Sequence, residues 1–132
     1  MIIGFTGHQK IDHPERWSWV QEQFLRVLRE VARPCDRVAS SLAIGGDQIF
    51  SEMALAEGLA LEVVVPCIGY EGTFHDPKGL SQYRALLGHA VEVTTLEFPT
   101  PSEEAFLAAG LSIVDRCGRL VSLWNGKKAA GK

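Results

Sequence analysis

The sequence predicts an α/β fold: a Rossmann-like, doubly wound, mainly parallel five-stranded sheet with helices on both faces. Three observations carry that expectation. The chain opens on an uncharged run, Met1-Ile2-Ile3-Gly4-Phe5, which feeds directly into a small polar turn, Thr6-Gly7-His8. Further β-rich runs at 37–44, 61–65, 91–96 and 120–124 alternate with stretches whose apolar residues recur every three or four positions. The junctions between them carry Gly, Pro or capping residues. A regular βα alternation closes into a parallel sheet through right-handed crossovers.

Ile2, Ile3 and Phe5 suit a strand covered on both faces. Asp12-His13-Pro14-Glu15 then reads as a helix start, with Pro in the first turn and Glu15 at the positive end of the dipole. The first helix runs to about Ala32, its apolar face made by Trp17, Val20, Phe24, Val27, Leu28 and Val31, and Pro34 ends it. Trp19 cannot share the face of Trp17 and is expected at a contact between copies of the chain. The second strand, 37–44, is carried by Val38, Ala39, Leu42 and Ile44 and leads into Gly45-Gly46-Asp47-Gln48. The second helix spans 48–57, with Ile49, Met53 and Ala56 on one face, Phe50 and Ala54 beside them, and Gly58 stops it. Asp47 reads first as its cap. The third strand, 61–65, ends at Pro66, and the connection from Cys67 to Lys78 is long enough to serve as a lid or binding loop. A short helix over 80–87 and a strand over 91–96 follow. Ser102 caps a fourth helix with Glu103 and Glu104 in its first turn, and Ala105, Leu107, Ala108, Leu111, Ile113 and Val114 form its apolar surface. The last strand, 120–124, leads to Asn125-Gly126 and a cationic tail.

At 132 residues, 46% hydrophobic and 22% charged, the chain is expected to form one domain, 1–132, with a real core. A net charge of −3 leaves no basic footprint, so no nucleic-acid partner is expected. No run reaches membrane-spanning length, and no membrane partner is expected. Cys35, Cys67 and Cys117 are odd in number and far apart, which fits reduced thiols in the cytoplasm. His8, His13, His75 and His89 lack metal-ligand spacing. No cofactor is expected: the Gly-x-Gly-x-x-Gly of nicotinamide enzymes does not follow the first strand. A nucleophile elbow is also missing.

Open parallel sheets bind ligands beyond the carboxyl ends of their strands. That rule gathers Thr6, Gly7 and His8, then Gly45, Gly46, Asp47 and Gln48, then Pro66 and Tyr70, then Asn125 and Gly126, on one rim. Gly7 permits close backbone approach, and Gly45 and Gly46 let main-chain N–H groups meet an anion at a helix start. Tyr70 and Phe74 either stack on a base or pin their loop to the sheet. Glu52 lies one turn beyond Gln48 on the same helix face.

Ile3-Gly4-Phe5-Thr6-Gly7-His8, Gly45-Gly46-Asp47-Gln48 with Glu52, Val64-Val65-Pro66 with Tyr70-Glu71, and Leu123-Trp124-Asn125-Gly126-Lys127 together resemble the SLOG superfamily. These Rossmann-like domains are related to the DNA-processing protein DprA and to the Lonely guy phosphoribohydrolases. The resemblance spans nearly the whole chain and implies binding of a nucleotide or nucleotide-derived ligand. It places the first contact turn at Gly7 and His8, the second at Gly45 to Gln48, and the approach to a third at Asn125 and Gly126. Two departures stand out. Gln9 replaces a frequent Arg after His8, and similar sequences continue past the final strand into a Gly-Gly-Thr turn and a helix, where this one ends at Lys132. The chain is thus expected either to be trimmed or to lack its C-terminal helix. The Pro-Gly-Gly-x-Gly-Thr-x-x-Glu motif of the hydrolase subgroup is absent.

The function expected from these residues is a nucleotide-binding sensor, with ligand binding ordering the loop from Cys67 to Lys78. The alternatives are a nucleoside-monophosphate phosphoribohydrolase, with Asp47 or Glu52 as the catalytic carboxylate, and a structural or oligomerisation domain.

Overall fold

The computed structural model describes residues 1–7 and 14–123. Strands β1 (Ile2–Gly7), β2 (Arg37–Ser40), β3 (Ala60–Val65), β4 (Glu92–Thr95) and β5 (Arg119–Leu123) alternate with helices α1 (Trp17–Val31), α2 (Gly46–Ala56), α3 (Pro77–Gly88) and α4 (Glu103–Arg116). The strands form one sheet in the order β4-β3-β2-β1-β5, with every pair parallel. The predicted α/β architecture is therefore the one observed.

Strand order decides where the helices go. From β1 to β4 each crossover steps the same way along the sheet, so right-handed connections put α1, α2 and α3 on one face. They pack side by side there, α1 on α2 and α2 on α3. The last crossover runs back past β1, and α4 lies against β1 and β3 on the other face. The sheet is thus wound three helices to one, and the order reverses between β1 and β5.

The larger core lies under α1 to α3. Val20, Phe24 and Leu28 of α1 repeat every four residues and bury one stripe. Phe24 meets the rings of Phe5 and Phe50 edge-on, each at 5.2 Å, while Phe5 and Phe50 stack at 4.6 Å. Such ring pairs add about 0.5–1.5 kcal/mol each beyond their burial. Trp17 packs against this core and Trp19 is exposed. The α4 side is thinner, built from Ala39, Val64, Ala109 and Ile113. Helix and sheet approach closely there: a Cβ on Gly4 would stand 2.8 Å from Ile113 Cγ2. Glu62, buried in β3, ties the layers together by accepting from Arg37 of β2 at 3.1 Å and Arg116 of α4 at 3.4 Å.

Several expectations are corrected. The second strand stops at Ser40, not Ile44, because Leu42 turns into the left-handed region at φ 58°. Asp47 is not the cap of α2: Gly45 is, at φ 97°, and Asp47 sits inside the first turn. Phe50 and Ala54 bury, whereas Ala56 is exposed. The connection after β3 is not an unbuilt lid. It holds a 3-10 turn, Tyr70–Thr73, and then α3, which starts at Pro77 with Asp76 accepting from the Lys78 N–H at 3.0 Å. On α4 the buried stripe is Ala105, Ala109 and Ile113, while Leu107, Leu111 and Val114 face outward. Ser102 caps that helix as expected, accepting from the Ala105 N–H at 3.0 Å. The expected helix start at Asp12 and His13, and the tail after Leu123, lie outside the described residues.

Candidate functional site

A cavity of about 620 Å³ opens at the carboxyl end of the sheet, where β1, the β2–α2 loop, the 3-10 turn after β3 and the start of α4 converge. Strand β1 contributes Phe5, Thr6 and Gly7. The β2–α2 loop contributes Ser41, Ala43, Ile44 and Asp47. Pro66, Tyr70, Thr73, Phe74 and His75 follow from the segment after β3, and Ser102, Glu103 and Phe106 from α4. The walls are therefore strongly aromatic. Lys and Arg are absent from the described lining, while Asp47 and Glu103 bring two carboxyls.

The β2–α2 loop owes its shape to an internal brace. The Ser40 hydroxyl oxygen accepts from the Leu42 N–H at 3.0 Å, which closes a tight turn at the end of β2. Gln48 Nε2 donates to the Leu42 carbonyl at 3.1 Å and to the Gly79 carbonyl at 3.0 Å. Those bonds hold the left-handed residue in place and bolt the loop to the start of α3. Burial of a strained leucine, about 1–2 kcal/mol above an extended one, persists because its surroundings fix it.

Asp47 is the buried polar group of the cavity, only 7% exposed. Its Oδ2 accepts from the Ala43 N–H at 3.4 Å. Burial pushes the carboxyl up to about 7, against the opposing pull of that N–H and of the Ser40 hydroxyl. Tyr70 sits across from it. Burial first, and the Asp47 charge second, raise its phenol above the ordinary range. Tyr70 also packs edge-on to Phe74 at 5.2 Å and Tyr83 at 5.5 Å, and it meets Phe106 at 6.3 Å. The Thr73 hydroxyl donates to the Tyr70 carbonyl at 2.7 Å, and the Ile68 N–H donates to the Phe98 carbonyl at 2.9 Å. The loop is thus pinned to the sheet and to the segment before α4, so ordering by a ligand is not needed. Phe106 is different: it is 43% exposed and borders the opening.

Of the residues singled out by sequence, Thr6, Gly7, Asp47, Pro66 and Tyr70 are brought together on this one cavity. Gly46 stands behind it, and Gly45, which caps α2, is not among its lining residues. A Cβ on Gly46 would press to 3.2 Å of the Phe5 ring and Leu123. Gln48 is the brace described above and not a lining residue. Glu52 is exposed and hydrogen-bonded to Gln82 of α3, away from the lining, so the carboxyl at the site is Asp47 alone of the two candidates. Glu71 pairs with Arg84 at 2.8 Å outside the cavity. His8, Asn125 and Gly126 lie outside the described residues. Ser41, Ser102, Glu103 and Phe106 were not foreseen as site residues. Phe106 carried a signal: a large aromatic off the stripe of small residues on α4.

The sequence matches no known family model and no curated protein. The folded chain is similar to a solved structure of DNA processing protein A from Helicobacter pylori, described for its unique single-stranded DNA binding mode. The TM-score is 0.67 at 15% identity, over 96% of this chain and 56% of that one. The fold is DprA-like. The chain therefore spans little more than half the length of that protein.

Two expectations are corrected by this likeness. The fold belongs to a protein described by its hold on single-stranded DNA, so low net charge was the wrong ground for dismissing nucleic acid. Net charge weighs phosphate contacts, whereas single strands are also held by stacking, which needs no basic footprint. The nucleotide-sensor reading, with its hydrolase and oligomerisation alternatives, is set aside on the same comparison. The cavity agrees: among the described residues its lining holds two carboxyls and neither Lys nor Arg, a poor seat for a phosphate. Among the described residues no helix is long and apolar enough to cross a membrane, and no cluster of metal-ligating side chains occurs.

Proposed function

We propose that this chain binds single-stranded DNA, drawing one unstacked base into the cavity and leaving the sugar-phosphate chain along its mouth. The observation that carries the proposal is the cavity wall: Phe5, Tyr70, Phe74 and Phe106 surround a space of about 620 Å³ that opens to solvent. A base offers an aromatic face for such walls, and only an unpaired base can leave its stack to reach them. The DprA-like fold supports the same reading. Phe106, exposed at the rim, is the platform on which the entering base stacks. With a net charge of −3 the affinity rests on stacking more than on counterion release, so it falls only gently with salt. The sequence motifs Ile3-Gly4-Phe5-Thr6-Gly7-His8, Gly45-Gly46-Asp47-Gln48 and Val64-Val65-Pro66 with Tyr70-Glu71 support placing the chain in the SLOG superfamily. Free thiols at Cys35, Cys67 and Cys117 fit a reducing cytoplasm.

The test is fluorescence anisotropy with a labelled 20-base single strand and its duplex, at two salt concentrations. The single strand is expected to bind at least tenfold tighter than the duplex. Phe106→Ala is expected to weaken it about 5- to 100-fold, the range for losing one base-stacking aromatic. Equal affinity for both forms, or no loss in Phe106→Ala, overturns the proposal.

A further inference from the structure

We propose that the cavity selects guanine among the four bases, with the Asp47 carboxylate accepting from guanine N1–H and N2–H together. The inference rests on the single-strand reading and adds the identity of the base. Asp47 is more than nine-tenths buried and still lines the cavity. A carboxylate has roughly four lone-pair positions. The Ala43 N–H, at a long 3.4 Å, and the Ser40 hydroxyl engage only part of that capacity. Among the described residues, the charged and titratable groups around it supply no cation to complete it. Tyr70 faces it from the 3-10 turn, Tyr83 and Cys67 stand behind Tyr70, and Glu103 and His75 share the lining. A buried acceptor pair with spare capacity is satisfied by a ligand that brings donors.

Among the bases, guanine alone presents two adjacent N–H donors on one edge. Adenine and cytosine set an acceptor beside their amino group, and thymine flanks its single N–H with two carbonyls. Each of these turns at least one lone pair towards the carboxylate, so the site rejects them as well as preferring guanine. The bidentate match is expected to favour guanine by about tenfold or more. Burial holds the Asp47 carboxyl near neutrality, about 7, so the preference changes with pH. Above that value the carboxylate offers two acceptors. Below it the neutral acid offers one donor and one acceptor, which suits adenine or cytosine and erases the advantage of guanine.

The experiment uses thymine 20-mers with one central position changed to guanine, adenine, cytosine or hypoxanthine, read by anisotropy at pH 6 and pH 8. At pH 8 the guanine strand is expected to bind about tenfold tighter than the adenine strand, with hypoxanthine, which lacks the N2 amine, between them. The guanine-to-adenine ratio shrinks at pH 6 and vanishes in Asp47→Asn, whose amide pairs one donor with one acceptor. Equal binding of all four strands, a hypoxanthine strand as tight as guanine, or a ratio unchanged in Asp47→Asn overturns the inference while leaving single-strand binding intact. Failure of every strand to bind removes both. The hypoxanthine arm needs no variant, so the test survives a misfolded Asp47→Asn.

Discussion

Asp47 makes the stability of this protein depend on pH. Its folded carboxyl titrates near 7, well above the ordinary aspartate value near 4. Between those values the folded chain holds a proton that the unfolded chain has released. Stability from this group therefore falls as pH rises from about 4 to about 7 and levels off above. Asp47→Asn removes the titration. Relative to the parent, the variant is expected to gain on the order of a few kcal/mol between pH 5 and pH 8. Urea melts at intervals across that range check it, and parallel curves for the two proteins refute it. In the sequence Asp47 had the look of a helix cap, since an acid beside paired glycines normally serves that way. Gly45 took the cap because its φ of 97° starts the helix two residues earlier than expected, which carried Asp47 inside and buried it. Phe106 went unnoticed for a related reason. The sequence marks it as a large aromatic off the buried stripe of α4, but the packed helix is what brings it to the cavity.

At the scale of elements, Gln48 is the side chain that joins the loop between β2 and α2 to α3. Gln48 bridges the carbonyls of Leu42 and Gly79, tying the strained turn to the start of α3. Gln48→Ala strips both buried acceptors of their donor and is expected to cost about 1–3 kcal/mol. The loss should appear as a lower melting temperature, and an unchanged melt would show that the brace carries no load. Helix α4 carries the other element-scale result. Its apolar residues were legible, but which of them bury was not. Leu107, Leu111 and Val114 repeat at helical spacing just as well as Ala105, Ala109 and Ile113. The sheet takes Ala105, Ala109 and Ile113, with the bare Gly4 leaving room for the Ile113 side chain, while Leu107, Leu111 and Val114 stay outside. Gly4→Ala would press a methyl to 2.8 Å of Ile113 Cγ2 and 3.1 Å of the Cys117 Cβ, and it is expected to destabilise the fold by about 1–3 kcal/mol. A melt within a few tenths of a kcal/mol of the parent would show that α4 lifts freely.

For the whole molecule, strand order is the deciding fact. Placing β5 beside β1 sends α4 alone across the second face, and the cavity opens between α4 and the segments that follow β1, β2 and β3. The site is built there from four separate segments, including the start of the helix that crosses back. The sequence by itself determined the α/β class, the strands near their observed positions, the cap at Ser102 and the glycine turn before α2. Each rests on local periodicity or backbone chemistry, which a short window of residues contains. Thr6 and Gly7, expected as a turn, are instead the last residues of β1 and pair with Ser122 and Leu123. Only the tertiary structure decided that Asp47 would be buried, that Gln48 would brace rather than bind, that Glu52 would pair with Gln82 on the surface, and that Phe106 would border the cavity. Those outcomes depend on which distant segments share a space, and burial and electrostatic environment exist only once the sheet has brought them together.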